Sequence, residues 1–471
     1  MVTEKFREKS ALGASVVAVV SLLFTLGLSI TACNGGGSGG SGGSGTTGGG
    51  TGGNGGTGNG GNGGTSGGIQ YVNISGGTTG FQNPMDVAVD GAGNVWVTNN
   101  QGSSNPSSPQ YNQSSLTELT KASGFSAAGA LNVTGTSGEL INSRMVAVDP
   151  SGNLWVTSRT SGDVVEFTKS SGYSANAAIA ISGFDSPVGI AADSAGNIWV
   201  VDWGFRTLSE LPYSAISAAG ATAASIAAHS TSIGLGNSSW PTMVTVDPSG
   251  NVWVACLGSI FIQNGSVPGS IVELPAASNY SPSSLVNITG WDGQNVVPFD
   301  IAADASGNIW ITGATLTTSG DVDTPVVSEL TKASNFSPSS ALNITGWNWS
   351  TASGSTTQLT APLGIALDGG GNVWLTVGQL SENSATKQVT GGGYVTELTK
   401  AGGYSFASAV NYSNSSAGFD IPAGIAIDGA GNVWVTNSGI WVSITTTAPV
   451  DQSASVTELV QAAVPVTTPL L

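Results

Sequence analysis

The sequence predicts an all-β fold, a seven-bladed β-propeller, on three observations. A hairpin motif, Asp-x-x-Gly-Asn-Val/Ile/Leu-Trp, recurs seven times; two further apolar runs follow it in most copies; and one orphan run stands before the first copy. The repeat aspartates are Asp90, Asp149, Asp193, Asp247, Asp304, Asp368 and Asp428, and their intervals run from 44 to 64 residues. That spacing is long for a solenoid turn and suits a four-stranded blade with large loops.

In each copy two short apolar runs flank a turn with Asp at its first position, Pro at the second in two copies and Gly at the fourth. These are type I turn preferences, with glycine free to take φ > 0, so each copy is expected to be a tight β-hairpin, the first two strands of a blade. The tryptophan sits mid-strand, at 96, 155, 199, 253, 310, 374 and 434. Burying ~150–250 Å² of such a ring stabilises by roughly 4–6 kcal/mol before entropy, and packing between blades is its expected role. A third run follows each hairpin: LTELTK from Leu116, VVEFTK from Val164, LSELPY from Leu208, IVELPA from Ile271, VSELTK from Val327, VTELTK from Val395 and VTELVQ from Val456. A fourth, such as LNVTG from Leu131 or VNITG from Val286, completes the unit; in the third copy it is degenerate and expected within Ala223 to Ala228. The last copy stops after its third run, whereas YVNISG, Tyr71 to Gly76, has no hairpin of its own. Donating that N-terminal strand to the last blade closes the ring and removes open sheet edges.

Before the ring, Lys5, Arg7 and Lys9 precede an uncharged apolar stretch from Ala11 to Leu28, the pattern of a signal peptide. Ile30-Thr31-Ala32-Cys33 resembles the bacterial lipobox, which implies acylation of Cys33 and attachment to a lipid bilayer without a spanning helix. From Asn34 to Gly68 the chain is almost wholly Gly, Ser, Thr and Asn. With no side chains to bury, it is expected to be a disordered tether reaching roughly 30–35 Å. The expected organisation is 1–32 lipoprotein signal peptide, 33–68 lipidated cysteine and tether, 69–461 propeller and 462–471 C-terminal tail. Asn34 is not the aspartate that retains many lipoproteins at an inner membrane, so the expected location is the cell envelope, at an outer membrane or the cell surface.

Acidic residues number 28 against 11 Lys plus Arg, a net charge of −17. Such a surface repels phosphate backbones, and nucleic acid is not an expected partner. Cys33 and Cys256 cannot build a zinc cluster, and Cys256 is expected to be a small buried hydrophobe.

The seven copies resemble NHL-type repeat propellers, including the streptogramin-lyase-like branch with its Pro-x-Gly-Ile-Ala-x-Asp-x-x-Gly-Asn-x-Trp pattern, over about 69 to 461. The resemblance speaks to fold more than activity, because this fold hosts many functions. For streptogramin lyases it implies histidine-centred chemistry with a divalent metal, yet this chain has a single histidine, His229, and no histidine pair. Lactonase propellers imply central carboxylates instead, which makes Asp86, Asp202, Asp300 and Asp420 the candidates for a divalent metal; no other cofactor is expected.

Antiparallel connectivity puts the loops joining strands 1–2 and 3–4 on one face and the 2–3 and 4–1 loops on the other. The first set is short and nearly uniform; the second varies from the short 158–163 to long stretches at 99–114, 256–270, 377–393 and 437–454. Recognition needs blade-to-blade difference, and the variable face has it. The non-repeat tryptophans Trp203, Trp240, Trp291, Trp347, Trp349 and Trp441 map there, with Asp202 and Arg206, as candidates for an aromatic and polar ligand site. The expected function is therefore an exported, lipid-anchored binding module for a glycan, peptide or protein. The alternative is a metal-dependent hydrolase or lyase of small cyclic esters.

Overall fold

The computed structural model describes residues 65–66, 69–75, 81–100, 114–134, 140–236, 240–258, 268–291, 295–316, 322–347, 349–350, 356–383, 389–413, 417–438 and 454–468. Cys33, nearly all of the tether, and Trp441 lie outside these residues.

Seven antiparallel sheets form the ring. The first strands of blades 1 to 7, nearest the central channel, are Pro84–Val89, Ser143–Val148, Pro187–Ala192, Pro241–Val246, Asn295–Ala303, Thr356–Leu367 and Pro422–Ile427. Second, third and fourth strands follow outward in sequence order in the first six blades. In blade 7 the third strand, Ser455–Val460, pairs with Ile69–Ile74, so the expected N-terminal closure is present. The short strand Thr65–Ser66 adds one more layer outside it. In blade 3 the expectation for the fourth strand was misplaced. Ala223–His229 is a helix with a Thr222/Ser225 capping box, and the strand is Thr231–Gly234. Alanine-rich sequence with a cap favours helix over strand there.

The repeat motif is a closed hydrogen-bond module. In blade 1, Asp90 Oδ1 accepts the amides of Ala92 and Asn94 at 2.9 Å each, while Oδ2 accepts Asn94 Nδ2 at 3.0 Å and Trp96 Nε1 at 3.2 Å. Asn94 Oδ1 then accepts the Lys121 amide just beyond the third strand. The tryptophan-to-aspartate bond recurs in blades 2, 3, 4, 6 and 7. In blade 5 the Trp310 Nε1 is buried without a partner. All seven repeat tryptophans are 0% exposed, as their expected role requires. Five of them touch an aromatic ring of the next blade at 4.4–4.7 Å: Trp96–Tyr173, Trp199–Tyr280, Trp253–Phe336, Trp310–Tyr404 and Trp434–Phe125. Each partner ring sits on a backbone with φ between 55° and 59°, a conformation that non-glycine residues avoid and that the interblade contact offsets.

A second interblade device was not singled out from sequence. All seven first strands carry a pairing irregularity a few residues before the repeat aspartate. A strand-2 threonine two residues after the tryptophan accepts the inner amide left there and donates to a carbonyl of the next blade. Thr98 Oγ1 accepts from Asp86 N at 3.1 Å and donates to Arg144 O at 2.7 Å. Thr157, Thr312, Thr376 and Thr436 repeat the donation, the last one to Met85 of blade 1. Blades 3 and 4 have Val201 and Ala255 at this place and lack the latch.

Candidate functional site

The two faces are built differently. On the turn face every blade ends in the same Asp-x-x-Gly-Asn hairpin, and Lys121, Lys169, Lys332 and Lys400 lie over the turn glycines of their own blades. On the variable face blades 5 and 6 grow outward. The first strand of blade 6 has 12 residues against 6 in blades 1 to 4 and 7, which at ~3.3 Å per residue makes it on the order of 20 Å longer than those strands. Trp349–Ser350 pairs with the inner edge of this projection at Leu359 and Gln358. Arg144, Arg159 and Arg206 all stand at this end of blades 2 and 3. Thus the described lysines are on one face and the described arginines on the other.

Burial pushes the Arg144 guanidinium well below the usual arginine range, with Arg159 adding to the effect. Burial also brings Arg159 down to about 10, against the opposing pull of Asp185. Next to them, Asp202 ends the second strand of blade 3 and is 0% exposed. Its carboxylate accepts the amides of Asp185 at 2.7 Å, Ser186 at 3.2 Å and Phe205 at 2.9 Å. Asp202 therefore organises two loops, and its ligand-holding capacity is spent on backbone.

Those loops present an aromatic and cationic stack. Trp203 and Trp240 lie 4.9 Å apart between ring centroids, and the Arg206 guanidinium sits 4.4 Å from the Trp240 centroid. Arg206 is held at φ 58°, and Phe205 beside it is 59% exposed. Trp203 is itself buried in the core at 9% exposure, so Trp240 and Arg206 carry the accessible part of the stack, and two other tryptophans expected in a ligand platform are interior. Trp291 is 1% and Trp347 is 3% exposed; Trp347 packs edge-on against Phe406, and the Trp291 carbonyl accepts from Asn343 Nδ2. They pin the chain between blades, because a large ring following a short outer strand gains more from the interblade seam than from water. For Trp349 the described part is backbone, and Trp441 lies outside. Asp420 is half-buried just before the first strand of blade 7. His229 is on the exposed end of its helix, with Nδ1 2.7 Å from Ser225 O, away from the channel strands. Cys256 is buried, and burial pushes its thiol up to about 12, so it behaves as the small hydrophobe expected.

The channel joins the faces. Four residues before each repeat aspartate stand Asp86, Met145, Gly189, Met243, Asp300, Gly364 and Gly424. Asp86 Oδ2 accepts the Val146 amide at 2.9 Å, and Asp300 Oδ2 accepts Ile365 N at 3.1 Å, each from the next blade. Those amides are not paired with a second strand and belong to the free channel edge, so both carboxylates lie in the channel. They keep some accessible surface because they face it, yet sit deep in the protein. Burial raises Asp86 to about 6 and Asp300 to about 7, with Asp86 also acting on Asp300. Below this neck opens a cavity of about 710 Å³, walled by Ala88, Ala147, Ala191, Ala302, Ala366 and Ala426 among valines and isoleucines. Residues Pro465 to Thr468 of the C-terminal tail line its turn-face end. Among the described residues no group of three or more His, Cys, Asp or Glu is placed to hold a metal ion. Asp86, Asp202, Asp300 and Asp420 do not assemble into one.

No family model and no curated protein matches the chain. Among solved structures it is similar to virginiamycin B lyase from Staphylococcus aureus, at 14% identity and a TM-score of 0.49, covering 83% of this chain and 98% of that one. The extracellular domain of a one component system from B. thetaiotaomicron has 14% identity and a TM-score of 0.44, over 84% of this chain and 42% of that one. A gluconolactonase from Xanthomonas campestris has 11% identity and a TM-score of 0.36, over 80% and 96%. The architecture described above, seven blades each carrying the Asp-x-x-Gly-Asn hairpin and closed by the N-terminal strand, is that of a seven-bladed β-propeller.

Proposed function

We propose that this chain is an exported, lipid-anchored binding module whose variable face receives a glycan, peptide or protein ligand. The observation that carries the reading is the segregation of blade-specific chemistry. The Trp203, Trp240 and Arg206 stack, the exposed Phe205 and the projections of blades 5 and 6 share one face, while the other repeats itself. An aromatic surface edged by arginine stacks on sugar or peptide groups and donates in a fixed fork to their oxygens. A glycan and peptide array probed with the chain carrying Cys33→Ser tests this. A ligand should emerge whose binding falls at least ~tenfold in Trp240→Ala with Arg206→Ala, the loss of about 1.4 kcal/mol. Undiminished binding in that variant sinks the platform. Anchoring is tested separately: Cys33→Ser should release the protein from the membrane fraction.

The second reading, a hydrolase or lyase of cyclic esters, keeps one supporting observation, the channel carboxyls Asp86 and Asp300 held near neutral pKa. Carboxyls tuned in this way suit proton transfer. Lactone turnover that disappears in Asp300→Asn would favour it over simple binding.

A further inference from the structure

Three features mark the central cavity as a candidate pocket with a tail-lined floor. Its wall is a ring of alanines, and its volume of about 710 Å³ falls in the range of small-molecule sites. Its turn-face end is crossed by the tail as a built strap: Ala463 N donates to Gly431 O at 3.0 Å, Gly369 N to Val464 O at 3.1 Å, Val464 N to Asp368 Oδ2 at 3.2 Å and Val466 N to Asp428 O at 3.4 Å. Blade 6 alone has three consecutive glycines in its turn, and a Cβ at Gly369 would collide with the Pro465 carbonyl oxygen. At the opposite end, the neck holds Asp86 and Asp300 among methionines and glycines.

We propose that this chamber binds the apolar body of a cationic ligand entering from the variable face, its ammonium group held at the neck by Asp86 and Asp300. Each carboxylate spends part of its acceptor capacity on channel-edge amides, and an ionised carboxylate offers about four lone-pair sites. The remainder faces the channel. Burial disfavours the charge of both groups, and no cation is among the causes shifting either. A bound ammonium supplies the missing compensation. Met145 and Met243 beside them give the neck adaptable, polarizable walls. The proposal depends on the face reading only for the side of entry.

The experiment is a fluorescence titration of the chain carrying Cys33→Ser with dansylcadaverine, an arene bearing a primary ammonium, and with neutral dansyl amide. The amine should bind saturably with blue-shifted emission, and at least ~tenfold more tightly than the amide, as for one charge-assisted contact. Asp86→Asn with Asp300→Asn should remove that preference. Ala302→Trp, filling the chamber, should abolish binding; if that variant fails to fold, removing 462–471 should speed probe release through the opened floor. Equal affinity for the two probes, or an amine preference that survives the double Asn change, overturns the proposal. The chamber is read with the two dansyl probes and the face platform with the glycan and peptide array, so failure here and failure of the platform are read separately.

Discussion

The turn face and the variable face are made by the same seven blades, yet they obey opposite rules. On the turn face the motif's polar groups are mostly answered within their own repeat: aspartate caps the turn, asparagine bridges to the third strand, and in six blades tryptophan closes onto the aspartate. On the variable face polar groups are answered across loops and blades, as when Asp202 gathers three amides from two loops. Repetition therefore holds the ring together at one end and frees the other end to differ.

The largest expected effect tests this division directly. Trp253→Ala, in the repeat, should cost about 4 kcal/mol in urea unfolding, since it empties a fully buried site against Phe336. Trp240→Ala, half-buried on the variable face, should cost about 1 kcal/mol while removing ligand binding. Similar costs at both places would break the comparison.

Next comes pH. Asp86 and Asp300 titrate at about 6 and about 7 in the fold, above the ordinary value near 4 of an unfolded aspartate. The folded state then binds more protons between these limits, so the contribution of these groups to stability is greatest in acid and declines as pH rises from about 4 to about 7. Burial pushes Glu166 and Glu458 to about 7, and they act in the same sense. Loss on the order of 3–4 kcal/mol is expected for each channel aspartate, read as a melting temperature that falls between pH 4 and pH 8. Asp86→Asn with Asp300→Asn should flatten that slope. An unaltered slope would show that the channel is not its source.

Asp202→Ala should cost about 2 kcal/mol by leaving buried amides unanswered, and should displace Trp203 from Trp240, visible as a change in near-ultraviolet circular dichroism. The smallest effect concerns the threonine latch. Thr157→Val should cost about 1 kcal/mol, and Val201→Thr, which supplies the latch that blade 3 lacks, should recover a fraction of that. Equal melting of both variants and the parent would mean the latch adds nothing to blade cohesion.

How far sequence reached follows the same division. The motif residues were legible because a seven-fold recurrence exposes any position the blade geometry needs, and Tyr71 to Gly76 stood out as a strand without a hairpin. The threonine latch carried a weaker signal, five copies of Trp-x-Thr, and its meaning depended on the recurring irregularity in the first strand, which only register reveals. Trp291 and Trp347 escaped because burial at the end of a short outer strand leaves no periodic mark. Asp202 looked like a free carboxylate because its partners are amides, which carry no residue identity. The tail strap was equally hidden, since the hydrogen bonds of Ala463 and Val464 are made by their backbone, which carries no residue identity.

The clasp of blade 7 bears on how the molecule is made. Asn73 reaches Ser455 and Thr457 across 382 and 384 residues of sequence. During synthesis the strand from Ile69 emerges before the hairpins and waits, edge exposed, until its partner arrives from the far end of the ring. The earliest strand of the ring is thus the last to find its neighbour, and completion of folding is timed by the arrival of Ser455–Val460.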